Sequence, residues 1–231
     1  MNLDVMANSV PKLLAGAGLT VELVALALAV GFVIAAPIAL ARVSGRPWLN
    51  GPAYAYIFFF RGTPLLVQIF LVYYGLSQFE AVRKGPLWPI LREPYWCAII
   101  AFSLNTAAYT AEIIRGGIRG VPHGEIEAAC ALGMSRLLVL RRIILPRAFR
   151  LALPAYGNEI IILLKASALA STITLLDLTG VARTIIARTY MPIELFAMAG
   201  VIYLVITFCI TRAIRALEYR LSPHTRPPRP A

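Results

Sequence analysis

The strongest constraint on this chain is a run, residues 19–41, in which Glu22 is the one charged side chain. At ~1.5 Å per residue, a helix of that length crosses a ~30 Å hydrocarbon layer. A cleaved signal peptide is the competing reading, because Ala39-Leu40-Ala41 has the small residues of a cleavage site. The run is too long for the apolar core of such a leader, and the arginines follow it rather than precede it. It reads as a first membrane helix, with a kink expected at Pro37 and Glu22 reaching the interface. A short, weakly amphipathic segment, 1–18, precedes it.

Further apolar runs follow. The second, 53–76, is interrupted by Arg61-Gly62-Thr63-Pro64. Arg61 in mid-membrane would cost several kcal/mol, so it marks a boundary or a protein-lined site. Either a short interfacial helix ends near Phe60 and a membrane helix begins near Pro64, or one helix is kinked; a proline in the first helical turn favours the former. Helices are expected at 95–114, 154–176 and 195–217, with a loop at 77–94 that mixes charge with aromatics and a second loop at 177–194, both balancing basic residues against acids. The Pro/Arg-rich tail, 218–231, reads as disordered.

Composition agrees with a membrane class. Hydrophobic residues make up 59% of the 231, and the mean hydropathy is +0.75. The net charge is +11 with 14% charged residues. Such basic residues beside apolar runs set topology and do not form the basic face of a soluble nucleic-acid module. The connection after the first run, the segment 115–150 with seven arginines, and the C-terminus hold most of the arginines. These parts therefore belong inside: five crossings, N-terminus out, C-terminus in. Cys97, Cys130 and Cys209 fit no metal or disulfide spacing, and His123 and His224 lie far apart.

No G-x-x-x-x-G-K-[ST] occurs, and no nucleophile–base pair, zinc spacing or haem-attachment motif is visible. The chain is not expected to be an enzyme, to hold a cofactor or to bind a metal. Its most informative polar stretch is Glu127-Ala128-Ala129-Cys130-Ala131-Leu132-Gly133, with Ile143-Ile144-Leu145-Pro146 beyond it. Small residues at Ala128, Ala129, Ala131 and Gly133 let another surface approach a helix backbone. Glu127 near the helix start suits the helix dipole. Ile126, Ala129, Gly133, Leu137, Leu140 and Ile144 recur at helical spacing, so one helix over 125–142 is expected along the membrane face, stopped by Pro146. An ordinary amphipathic surface helix, anchored by arginines to lipid phosphates, has the same pattern.

The spaced residues Gly124, Glu127, Ala128, Ala129, Gly133, Ile143, Leu145 and Pro146 resemble the EAA loop of importer-type ABC permease subunits. Arg61-Gly62-Thr63-Pro64-Leu65-Leu66-Val67-Gln68 is similar to the Arg-Gly-Thr-Pro segment of polar amino-acid permeases. Residues 108–118 and Lys165-Ala166-Ser167-Ala168-Leu169-Ala170-Ser171 resemble the third-helix exit and fourth-helix centre of that group. The likeness covers about 18–217, an ABC transmembrane type-1 domain. It is greatest to the M-type subunits of histidine, lysine-arginine-ornithine and opine uptake systems. One departure is Glu125, where the family usually has Gln; it either alters the charge match to the ATPase or is tolerated.

The resemblance implies an all-α type I permease of a bacterial inner membrane. A second permease subunit, a Q-type sibling, would complete the path. A dimer of ATP-binding subunits would carry ATP and Mg, and a periplasmic binding protein would deliver the amino acid. The EAA-loop helix would couple to the ATPase, since coupling needs two partners that bias one two-state element. Polar residues inside membrane helices tend to face a cavity, which makes Gln68, Asn105, Tyr109, Asn158, Glu159, Lys165 and Ser167 candidates for the substrate path. Helix–helix hydrogen bonding is the alternative role for each. Glu159 is the favoured contact for a basic side chain; Lys165, six residues on, falls on another face and is not expected to neutralise it. A scaffold subunit without transport activity, or a self-sufficient transporter, would be the other classes. Polar residues within the helices disfavour the first, and the absence of an internal repeat disfavours the second.

Overall fold

The computed structural model describes residues 3–221, which form helices and short connections. In chain order the helices are α1 (Leu3–Val43), α2 (Pro47–Gly62), α3 (Leu65–Phe70), α4 (Glu80–Arg83), α5 (Trp88–Leu91), α6 (Pro94–Arg119), α7 (His123–Ala131), α8 (Arg136–Val139), α9 (Leu145–Ala166), α10 (Leu178–Thr189) and α11 (Pro192–Leu221). Among the described residues, α1, α6 and α11 are each long and apolar enough to cross a membrane. Two bent pairs pass the same test: Pro47–Gly62 with Leu65–Gln78, bent by 103°, and Arg136–Ile173 with α10, bent by 47°. Counting each pair as one span gives up to five.

The centre is α6, which packs along α1 and α9 and touches α2 and α3. Of its most apolar window 67% is buried, against 11% for α11, which therefore lies at the periphery. Phe102 and Ala98 of α6 meet Leu23 and Ala27 of α1, Ile69 of α3 and Leu163 and Leu164 of α9 in the main core. A second cluster of small residues, Ala35, Ala39, Ala107, Ala108 and Ala111, holds α1 against α6 near Ile57 of α2. At Gly117, a Cβ would lie 2.5 Å from the Ala148 carbonyl oxygen, so α6 and α9 meet backbone to backbone.

Several boundaries differ from those the sequence suggests. The segment 1–18 is not separate: α1 runs through it, with Leu13 and Ala17 packed on Leu178 and Ala182 of α10. Gly16 permits this, because a Cβ there would sit 3.0 Å from the Asp177 carbonyl oxygen. The helix also continues through Pro37. At Thr63 the chain does break. Pro64 drives the preceding residue out of the helical region, and Thr63 is extended at φ −112°, ψ 143°.

The single helix expected over 125–142 is two helices. Gly133, at φ +77°, ends α7. The Met134 N–H donates to the Ala129 carbonyl at 3.1 Å and the Gly133 N–H to that of Cys130 at 2.9 Å, a Schellman stop. Ser135 then caps α8, its Oγ accepting from the Leu138 N–H. Pro146 is not a stop either. It occupies the first turn of α9, where no N–H is required, and the Leu140–Ile144 segment just before it is widened into a π turn.

The fourth helix consequently begins before 154, and α9 passes through Pro154 before tightening into the 3₁₀ segment Ser167–Ile173. The expected loop 177–194 is largely α10. Asp177 starts it by accepting the Thr179 and Gly180 N–H groups at 3.2 and 3.1 Å. The loop 77–94 holds α4 and α5. Of the tail read as disordered, 218–221 belong to α11 and the remainder lies outside the described residues.

Candidate functional site: a polar chamber and an exposed helix

Two regions hold most of the sequence-predicted site residues. The first is a cavity of about 360 Å³ between the α2–α3 break, α6 and α9, with Arg61, Thr63, Asn105, Tyr109 and Glu159 among its lining residues. Asn105 and Tyr109 stand one turn apart on α6, and Glu159 faces them from α9. Glu159 is 5% exposed and accepts a 2.8 Å hydrogen bond from Thr106 Oγ1. A carboxylate so far from bulk water needs a partner, and a hydroxyl alone does not neutralise it.

Arg61 lies over the Tyr109 ring, 5.1 Å from its centroid. Among the described residues it makes no ion pair within 4 Å. The same guanidinium, with Gly62 and Tyr109, lines an adjoining cavity of about 390 Å³ that also contains Arg42, Tyr54 and Glu112. Sequence reasoning marked Arg61 as a boundary or a protein-lined site. It passed over Thr106 and Glu112, whose signal was the polar stripe along α6, and Arg42 in the last turn of α1.

The other candidates divide. The Gln68 amide is spent locally: Nε2 donates to the Phe60 carbonyl at 2.9 Å and to Thr63 Oγ1 at 2.7 Å, while Oε1 accepts from Asn105 Nδ2 at 3.0 Å. Phe60 and Thr63 belong to the end of α2, where carbonyls lose their helical donors, so this pair of amides fastens the break. Ser167 is buried with its hydroxyl on the Leu164 carbonyl at 2.7 Å. Asn158 and Lys165 are exposed and line neither cavity. Asn158 adjoins Glu159 on α9, and consecutive helical residues point about 100° apart.

The second region is α7. Gly124, Glu127 and Ala128 are exposed, whereas Ala129 is buried against the body. Leu132, at the tip beyond the helix, is 85% exposed. Leu145 and Pro146 are exposed on the following helix, Ile143 half-buried. Glu125 does not join the exposed face. It pairs with Arg147 of α9, Nε to Oε2 at 3.0 Å with a second, closer contact from Nη2 to Oε1. The Arg147 hydrogen bond holds the Glu125 carboxyl below its ordinary range.

Packed helices around a polar chamber, with an exposed helical tip at one end, define a membrane transport subunit that works against other chains. The family of binding-protein-dependent transport system inner membrane components matches residues 27–223, and the chain belongs to it. It is 55% identical to the octopine transport system permease protein OccM of Rhizobium meliloti, over 93% of this chain and 87% of that protein. It is 51% identical to the nopaline transport system permease protein NocM of Agrobacterium fabrum, over 98% and 94%. Identity to the histidine/lysine/arginine/ornithine transport system permease protein HisM of Escherichia coli K12 is 43%, over 92% and 90%. Among solved structures, a chain of an amino acid ABC transporter crystallised with histidines superposes with a TM-score of 0.85 at 35% identity, covering 95% of this chain and 99% of that one.

Proposed function

We infer that this chain is the permease subunit of an ATP-driven, binding-protein-dependent importer of amino acids or opines. The observation that carries the substrate reading is Glu159: a buried carboxylate on the wall of a chamber, with a hydroxyl as its hydrogen-bond partner. A cationic group of the transported molecule would complete it, which favours a basic amino acid or an opine with a guanidinium. The relatives named for octopine, nopaline and basic amino acids support this choice. A scaffold subunit would have no use for such a chamber.

In this reading the chain crosses an inner membrane five times, N-terminus out and C-terminus in, each bent pair counting as one span. The arginine distribution supports that orientation. A second permease subunit, a Q-type sibling, closes the open side of the chamber, and a periplasmic binding protein loads it. A separate ATPase dimer carries ATP and Mg and grips α7 through Glu127, Ala128 and the Gly133 turn. Gly124, Ala129, Ile143, Leu145 and Pro146 form the rest of that coupling region.

The test is Glu159→Gln in the complete complex reconstituted into vesicles. Loss of a charge-assisted contact should lower kcat/KM for uptake of L-arginine by about ten- to a hundredfold while the subunits still co-purify. Unchanged uptake would remove Glu159 from the path.

A further inference from the structure

We propose that the cavity walled by Arg42, Tyr54, Arg61, Tyr109 and Glu112 is a second station on the path, one that binds the carboxylate of the transported molecule. The inference rests on the importer reading above and goes beyond it by assigning this chamber and the substrate's orientation.

The charge balance carries the argument. Glu112 is the one carboxylate on the wall, and it is already taken. Arg115 Nε lies 3.0 and 2.9 Å from its two oxygens, and Arg42 Nε donates to Oε1 at 3.3 Å. Arg42 further donates to Asn50 Oδ1 and lies over the Tyr54 ring at 5.0 Å. Two guanidiniums thus face one acid, and Arg61, which feels the Glu159 carboxylate of the adjoining chamber but makes no ion pair with it, adds a third positive charge. The side chains of Arg42, Glu112 and Arg115 are 14, 15 and 22% exposed, so water screens this excess weakly. A cation would be repelled here, whereas a carboxylate matches the guanidinium fork.

Position gives the station its place in the sequence of transport. Asn105, Tyr109 and Glu112 form one stripe on α6. Glu112 lies about 10 Å further along the axis than Asn105, toward the segment assigned to the cytoplasm. Arg61 and Tyr109 belong to both chambers. A molecule whose cation rests at Glu159 reaches Arg61 with its carboxylate, and that carboxylate stays against Arg61 as it enters the second chamber. The substrate therefore leaves carboxylate first.

The test uses Phe58, an exposed residue on the wall of the second chamber. Phe58→Cys is placed in a complex whose exposed Cys130 and Cys209 are replaced by serine. The introduced thiol is treated with an anionic sulfonatoethyl or a cationic trimethylammonioethyl methanethiosulfonate, each rate normalised to that with 2-mercaptoethanol. The anionic reagent should react about tenfold faster, and Arg61→Met should remove most of that preference. Without binding protein present, L-arginine should slow the reaction and agmatine, which lacks the carboxylate, should not. Equal rates, faster cationic labelling, or equal protection by both ligands would overturn the station; an acidic side chain of the second permease seated there would give equal protection. If Phe58→Cys fails to co-purify with its partners, Gly62→Cys, whose Cβ meets open space, supplies the same readout. Unaltered uptake by Glu159→Gln would count against the substrate reading at Glu159; a failed labelling preference with Glu159→Gln impaired counts against the station alone.

Discussion

Glu159 and Gln68 are both buried among apolar helices, and their surroundings give them different work. Every polar atom of the Gln68 amide engaged by the structure serves the α2–α3 break. Gln68→Ala would strand the Thr63 carbonyl and leave that of Phe60 with only the 3.3 Å bond from Asn105 Nδ2, costing about 1–3 kcal/mol in a buried setting. We expect a lower Tm of the assembled complex with KM for uptake nearly unchanged; a raised KM at unaltered Tm would place Gln68 on the path instead. The sequence names both residues as polar positions in apolar helices, but it does not say which face of each helix is buried. For α9 that face is set by Leu153, Gly157, Leu163 and Leu164, and Glu159 joins it where Asn158 and Lys165 do not. Such phase information comes from packing against α6 and is absent from any single helix.

At the scale of elements, the informative case is the stretch from α7 to α9. A stripe of apolar residues spans it at helical spacing, yet the stripe is cut between Leu132 and Ser135. The signals for the cut were present: a glycine suited to a left-handed turn, and a serine suited to an N-cap. Periodicity concealed them because the two short helices keep similar spacing on each side of the turn. Glu125 supplies a polar tie between α7 and α9. Glu125→Gln should speed amide exchange in α7 about twofold at neutral pH, as befits a surface pair. The folded-state pKa of Glu125 is lowered, so its contribution is complete above the ordinary carboxyl value of about 4.3 and disappears as pH falls through the lower folded value. Exchange in the wild-type helix should accordingly be insensitive to this pair from pH 6 to 8, after correction for the intrinsic rate, and the variant difference should vanish in strong acid.

For the whole molecule, hydropathy makes the first, third and last long helices legible, because α1, α6 and α11 each carry an apolar run in one piece. The other two runs are bent at Thr63–Pro64, where Pro64 already signals the break, and between Ile173 and Leu178, a bend that a window averaging hydropathy passes over. Burial could not be read in the same way. The most apolar helices are not the most buried, since α11 faces outward and α6, with its polar stripe, occupies the middle. Orientation is testable directly. A membrane-impermeant thiol reagent should reach Ala128→Cys in inside-out vesicles and not in intact spheroplasts, in a background with Cys130 replaced; the reverse pattern would invert the proposed topology.

Leu132 stands almost bare at the tip of the turn that ends α7. In the proposed assembly a partner surface would cover this side chain, whereas a subunit made in excess carries it into water as an uncapped greasy knob. An exposed apolar side chain of this kind is what chaperones and proteases recognise, so a copy made without its proposed partners should be cleared faster than one in the assembled complex.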